Sequence, residues 1–189
     1  MKSDQNIDKR RIEFIDAAEK LFKKNGIVDT TINSIVKELD VAKGLFYYYF
    51  KSKDDMIEAI ADKYNETFVK AIKRSLNKSD YDERLALYIE NVIVSFRQLW
   101  GNLHGENENI DLSILATRTF DEAKKIASSV LQELLQEGVD KDKLKISNIS
   151  YYADMIISGI VELISHNESD LKEIQTFINE LINQVRKEK

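Results

Sequence analysis

Residues 30–53 read TTINSIVKELDVAKGLFYYYFKSK, and this stretch decides the fold. Ile32, Ile35, Val36 and Leu39 fall at i, i+3, i+4 and i+7, which is one face of an α-helix expected over Thr31–Leu39. Thr31 stands at its start, where a hydroxyl can cap free backbone N–H groups. A second short helix is expected at about Lys43–Tyr49, after a tight turn. Ile35, Val36, Leu39, Val41, Leu45 and Phe46 can supply the core that holds the pair at a fixed angle. Lys43, Tyr47 and Tyr48 are then left for an exposed face bearing donors and aromatic edges. Gly44 removes a side chain where the backbone could approach a phosphate closely.

The flanks agree with this reading. Upstream, a helix over about Asp8–Asn25 carries Ile12, Ile15, Ala18 and Phe22, with Phe14 and Leu21 beside them, and Gly26 ends it. Downstream, Ser52 and Asp55 have the spacing of a capping box and open a helix running to about Leu76. Two short helices of this kind can meet duplex DNA, one entering the major groove while the one before it braces across the backbone.

Charge is distributed to suit. The whole chain carries a net charge of −5, which by itself argues against nucleic acid. Residues 1–53, however, hold 11 Lys and Arg against 8 Asp and Glu, and the remainder holds 17 against 25. A positive head on an acidic body is the expectation.

Here the residues resemble a known family. Gly26, Thr30-Thr31-Ile32, Ile35-Val36, the run from Val41 to Phe50, and Lys51-Ser52-Lys53 are similar to the N-terminal region of TetR-family (TetR/AcrR) repressors. The likeness covers about residues 8–60 as a motif and extends to the rest only as length and helical layout. It implies a DNA-binding head over 1–53 and an effector-binding and dimerisation body over 54–189. Within the head it implies that Thr31 and Lys53 bind phosphates, and that Lys43 and the Gly44 backbone meet DNA at the start of the recognition helix. Tyr47 and Tyr48 would reach phosphates or bases, and Phe50 would pack inward. Leu45 departs from the small polar residue usual in the family, so contact with a thymine methyl replaces a hydrogen-bonded base reading there. Phe46 stands where an aliphatic residue is usual and reads as core, as does most of Tyr49.

Beyond the head, helical spacing continues and strand alternation is almost absent, so an all-α fold of about nine helices is expected. The body segments are placed at about 82–100, 111–118, 121–137, 147–166 and 170–187, with polar loops over Gly101–Asn109 and Gly138–Lys145. The last two, over about 147–187, are apolar across broad arcs and suit a four-helix interface in a homodimer, although burial against their own body would use the same residues. Tyr88, Phe96, Trp100, His104, Arg118 and Tyr151 are the candidates for contact with a small-molecule effector of unknown identity, for which an apolar or aromatic compound fits best.

Several classes are excluded or disfavoured. The chain has no cysteine, hence no disulfide or thiolate chemistry. Its two histidines, His104 and His166, do not follow a glutamate at di-iron spacing, and there is no Walker loop, His-Glu-x-x-His motif or nucleophile elbow. No catalytic residue, metal or cofactor is therefore expected. With no apolar leader and no membrane-length apolar run, a cytoplasmic location is expected. The principal reading is a sequence-specific repressor of double-stranded operator DNA, released by its effector. The alternative is a helical ligand-binding or interaction protein that does not bind an operator.

Overall fold

Eight α-helices account for most of the computed structural model, which describes residues 2–104, 110–166 and 170–187, with side chains from Lys9 onward. They are α1 (Lys2–Asn25), α2 (Ile32–Glu38), α3 (Lys43–Tyr49), α4 (Lys53–Lys73), α5 (Tyr81–Leu103), α6 (Ser113–Asp140), α7 (Ile149–Ser165) and α8 (Leu171–Gln184). A short 3-10 turn, Arg74–Asn77, follows α4. Among the described residues the only extended pairing is one isolated antiparallel bridge, Leu144 with Arg186. The all-α expectation holds.

Local chemistry explains the boundaries. Gly26 takes φ +83°, and its N–H returns to the Phe22 carbonyl at 2.8 Å, so α1 stops where a residue without a Cβ can turn left-handed. Thr31 caps α2 with extended backbone. Asp40 sits at φ +51° between α2 and α3, in the left-handed region that Asp tolerates better than most residues. Ser52 Oγ accepts the Asp55 N–H at 3.0 Å, as its capping spacing requires. The reciprocal arm differs, since Asp55 Oδ2 accepts from the Lys51 N–H at 2.8 Å rather than from Ser52.

Four expectations are corrected. The segments 111–118 and 121–137 are one helix, α6, because Thr119 turns its hydroxyl back to the Leu115 carbonyl and Phe120 is buried, leaving nothing to break the helix before Asp121. That makes eight α-helices among the described residues rather than nine. Gly138 lies inside α6, and the loop after it begins only at Lys141. Helix α5 continues through Gly101 to Leu103, so the polar loop starts later than expected, and its residues 105–109 lie outside the described residues. Ile12, assigned to the inner face of α1, is 54% exposed; Phe14, Ile15, Ala18, Leu21 and Phe22 form that face instead.

The chain divides into two compact units. One contains residues 1–64 with 102–119, so the expected head boundary at 53 falls inside it. Within this unit the Ile27 N–H donates to the Asp111 carbonyl at 3.1 Å, and Arg118 pairs with Asp54 at 2.6 Å and Glu58 at 3.1 Å. The other unit contains residues 65–101 and 120–189. Its core is built from Phe68, Tyr88, Phe96, Phe120, Leu131 and the isoleucines of α7 and α8. Its chain end is tied down by backbone bonds from Lys145 N–H to the Val185 carbonyl and from Lys187 N–H to the Lys143 carbonyl.

Candidate nucleic-acid interface

The recognition surface starts from what lies beneath it. Phe14 of α1 is fully buried and meets Phe46, Tyr49 and Phe50, with ring centroids 6.0, 5.7 and 6.2 Å away. Phe46 and Phe50 also touch each other at 5.6 Å. Aromatic edges and faces meeting at these distances fix the roll of α3 about its own axis. With Phe46 turned in, helical spacing turns Tyr47 and Tyr48 out, and they are 51% and 66% exposed. Lys43 and Gly44 are exposed on the first turn, and a Cβ placed on Gly44 would meet nothing within 4 Å. Leu45 is half-buried. Ala42, which precedes the helix, offers no side-chain cap, so the first N–H groups of α3 are not consumed by a neighbouring side chain.

Around the other helix ends, Thr31 and Ser34 form a reciprocal cap. Thr31 Oγ1 accepts from the Ser34 N–H at 3.1 Å, and Ser34 Oγ accepts from the Thr31 N–H at 3.0 Å. The Thr31 hydroxyl therefore acts as acceptor inside the cap, and its own proton has only a long 3.4 Å contact to Ser34 Oγ. Thr30, next to it, is fully buried and donates to the Gly26 carbonyl at 2.8 Å, fastening the start of α2 to the end of α1. Lys53 opens α4 and donates to the Val28 carbonyl at 3.3 Å. Thr31, Lys43, Gly44, Leu45, Tyr47, Tyr48 and Lys53 thus all belong to the unit that contains α1 to α3.

Thr30 stands in the sequence motif without an assigned role, and Ser34 and Asp40 are not singled out there, yet these three residues join α2 to its neighbours. The signals were present: a Ser three residues after a threonine cap, a second threonine beside it, and an Asp at a tight turn.

A second network braces α1 against α4. Glu19 accepts from Lys63 at 2.7 Å and from the Tyr64 hydroxyl at 2.6 Å, and it pairs with Lys23 at 2.8 Å. Burial pushes the Glu19 carboxyl up, but those three donors outweigh it and hold the group down at about 2. A carboxyl so depressed contributes stability that is complete above its ordinary value near 4.5 and is lost as pH falls towards 2. Glu19→Gln is expected to cost about 1–2 kcal/mol at neutral pH. Denaturant midpoints at pH 7 and pH 3 check this, because the gap to the parent protein should narrow at the lower pH.

The effector candidates separate. Tyr88, Phe96 and Trp100 lie on α5 in the second unit. Tyr88 is fully buried and donates to the Ala127 carbonyl at 2.6 Å. Phe96 lies 4.8 Å from Phe68 and 6.1 Å from Phe120, and Trp100 meets Phe120 edge-on at 5.8 Å. His104 and Arg118 belong instead to the first unit, His104 exposed and Arg118 engaged by Asp54 and Glu58. Tyr151, on α7, is 74% exposed. Within the second unit, Phe96 and Trp100 therefore meet the same ring, Phe120, whereas Tyr88 is tied to Ala127. An open groove of about 610 Å³ between α6 and α7 is lined by polar residues, including Gln132, Glu133, Gln136 and Ser150, and none of the six candidates lines it. Among the described residues there is no cluster of side chains able to hold a metal ion, and no helix long and apolar enough to cross a membrane.

Residues 14–60 match the family described as bacterial regulatory proteins, tetR family. Residues 14–60, which hold the helix-turn-helix, are thus a tetR-family N-terminal domain. The matched stretch runs from Phe14, the centre of the aromatic cluster, to Ile60 of α4. Over 70 residues the chain is 37% identical to the HTH-type transcriptional regulator HbdR of Aromatoleum sp. (strain CIB), a match covering 37% of this chain and 31% of HbdR. It is 25% identical over 160 residues to the fatty acid metabolism regulator protein of Bacillus subtilis (strain 168), covering 80% and 79% of the two chains. The match thus spans about a third of the length of HbdR and a larger share of the second relative. The crystal structure of the transcriptional regulator FadR from Bacillus subtilis, in complex with stearoyl-CoA, shares the fold with a TM-score of 0.63 at 23% identity, over 90% of this chain and 96% of that one.

Proposed function

We propose that this chain is a TetR-family, sequence-specific DNA-binding repressor that acts as a homodimer and is released from its operator by a small-molecule effector with an apolar portion. The observation that carries the reading is the outward face of α3, where Lys43, Gly44, Tyr47 and Tyr48 stand exposed over a buried Phe14–Phe46–Phe50 support. Thr31 and Lys53 add phosphate donors beside that helix. Tyr47 and Tyr48 carry hydroxyls and aromatic faces suited to phosphates and base edges, and Leu45 presents a methyl-bearing side chain for thymine.

The homodimer reading rests on α7 and α8. Ile156, Ile157, Ile160 and Ile164 of α7 and Ile174, Ile178 and Ile182 of α8 are buried within the chain's own core. Tyr151, Met155 and Phe177 remain 74%, 55% and 50% exposed on the same two helices. Large apolar groups left outside an otherwise complete core mark an association surface. Two heads brought together in this way would meet two half-sites of an operator.

The effector reading rests on the aromatic group Phe68, Phe96, Trp100 and Phe120 in the second unit, and on the acyl-CoA present in the structurally similar FadR. A long-chain acyl-CoA is accordingly the first compound to test.

The experiment is a salt titration of binding to the duplex upstream of the chain's own coding sequence. Lys43 and Lys53 in two heads alone imply a slope of about −3.6 in log K against log salt, or roughly a 100-fold loss between 50 and 200 mM. Adding long-chain acyl-CoA to the complex is expected to weaken it. A slope near zero, or equal affinity for unrelated duplexes, would instead favour a helical ligand-binding protein without an operator.

A further inference from the structure

We infer that Arg11 is an additional phosphate-binding residue, held in place by the Phe50 ring at the C-terminal end of the recognition helix. The inference rests on the DNA-binding reading above and extends it to a helix outside the helix-turn-helix.

Three consecutive basic residues, Lys9, Arg10 and Arg11, lie on α1 one turn before Phe14. Arg10 is neutralised by Glu13 at 2.6 Å. Arg11 is exposed, and among the described residues no carboxylate pairs with it. Its guanidinium carbon stands 5.2 Å from the centre of the Phe50 ring. Phe50 is 1% exposed and is the C-cap of α3. The contact places a cation beside the last turn of the recognition helix, and among the described residues no carboxylate takes the N–H donors of the guanidinium.

The position matters because of what the two ends of α3 carry. Lys43 and the backbone of Gly44 serve its first turn. Its last turn is Tyr47, Tyr48 and Tyr49, which bring no charge. A seven-residue helix is about 10 Å long, shorter than the major groove is wide at about 12 Å, so groups at both ends come within side-chain reach of a phosphate wall. Beyond its C-terminal end the chain runs on through Lys51 to Lys53, and Arg11 is brought to that end by its contact with Phe50. The backbone N–H of Lys51 is bonded to the Asp55 carboxylate, which sets a negative charge beside it. Arg11 is the cation there that an aromatic face orients and no described carboxylate offsets. An arginine stacked on a ring can still present its fork to a phosphate, since the two contacts use different parts of the group.

The test compares the full-length chain with Arg11→Gln, Arg11→Met and Arg11→Lys on the duplex upstream of its coding sequence, across 50–300 mM salt. Arg11→Gln and Arg11→Met remove the charge, and Met keeps an apolar stem to cover Phe50. Both are expected to lower the steepness of the log K–log salt line by about 0.9 for each head, or about 1.8 for a dimer on two half-sites. Arg11→Lys is expected to keep the parent slope. An unchanged slope in Arg11→Gln and Arg11→Met overturns the inference even if affinity falls, because the residue would then act only by packing on Phe50. If the parent chain itself shows no salt-dependent binding, the DNA-binding reading fails first and this inference with it. A parent slope that persists unchanged in the variants removes the inference alone.

Discussion

Phe14→Ala is expected to destabilise the head by about 3–5 kcal/mol, the range for deleting a buried aromatic ring, and to abolish operator binding with it. Phe14 is the one residue of α1 whose ring meets Phe46, Tyr49 and Phe50 together. It is fully buried, so the truncation leaves a void rather than a solvated gap. Two effects add: lost transfer energy of the ring, and lost contacts on the walls of the cavity. The second effect decides the functional outcome, because the walls are the residues that orient α3. Phe14→Leu refills much of the space and should cost markedly less. Denaturant unfolding measures the stability change, and the operator titration measures the binding. A cost below about 1 kcal/mol would mean that the cluster is not what holds α3 in register.

Gly138→Val is expected to be the most disruptive single substitution in the second unit, costing about 3 kcal/mol or more through overpacking. A Cβ built on Gly138 would stand 2.6 Å from Leu144 Cδ1 and 2.8 Å from Tyr81 Cζ, with the Tyr81 hydroxyl nearer still. None of these atoms can retreat easily. Tyr81 is 2% exposed and Leu144 is 1% exposed, and Lys141 and Lys143 lie over the tyrosine ring at 5.9 and 5.2 Å. Even Gly138→Ala, which gains about 1 kcal/mol in helix propensity, should be net destabilising.

The partner substitution has the opposite sign. Among the described residues the buried Tyr81 hydroxyl has no hydrogen-bond partner. Burial pushes its ionisation up to about 12, so it remains a neutral, unsatisfied group. Tyr81→Phe is therefore expected to be neutral or to stabilise by up to about 1 kcal/mol. Combined with Gly138→Ala it should recover part of that loss, since the removed oxygen is the atom nearest the new methyl. Thermal melts of the two single variants and the double variant measure this coupling. Strict additivity would show that the hydroxyl is not the obstacle.

Much of the head was legible in the sequence because its signals are local. Spaced aliphatics, the cap at Thr31, Gly26 as a stop and the capping pair Ser52 and Asp55 all act within a few residues, and α3 spans Lys43–Tyr49 as expected. The inward roles of Phe46 and Phe50 also follow from helical spacing once α3 is placed. The body was harder for the same reason. Asp121 resembles a helix start, yet α6 runs through it because Phe120 and Ala123 are buried and no glycine or proline intervenes. Gly138 resembles a helix end, yet the space it leaves belongs to Tyr81, a residue far away in sequence.

What the sequence determined by itself is the helical class, the head and the residue types that face outward from α3, since hydrophobic period and caps are set by neighbours in the chain. Only the tertiary structure decided which aromatic residues support that face, that Arg118 is bound to Asp54 and Glu58, and that Arg11 stands over Phe50. These are contacts between helices, and no local propensity encodes them. The recognition surface that residues 30–53 announce therefore owes its orientation to α1, a helix outside that stretch.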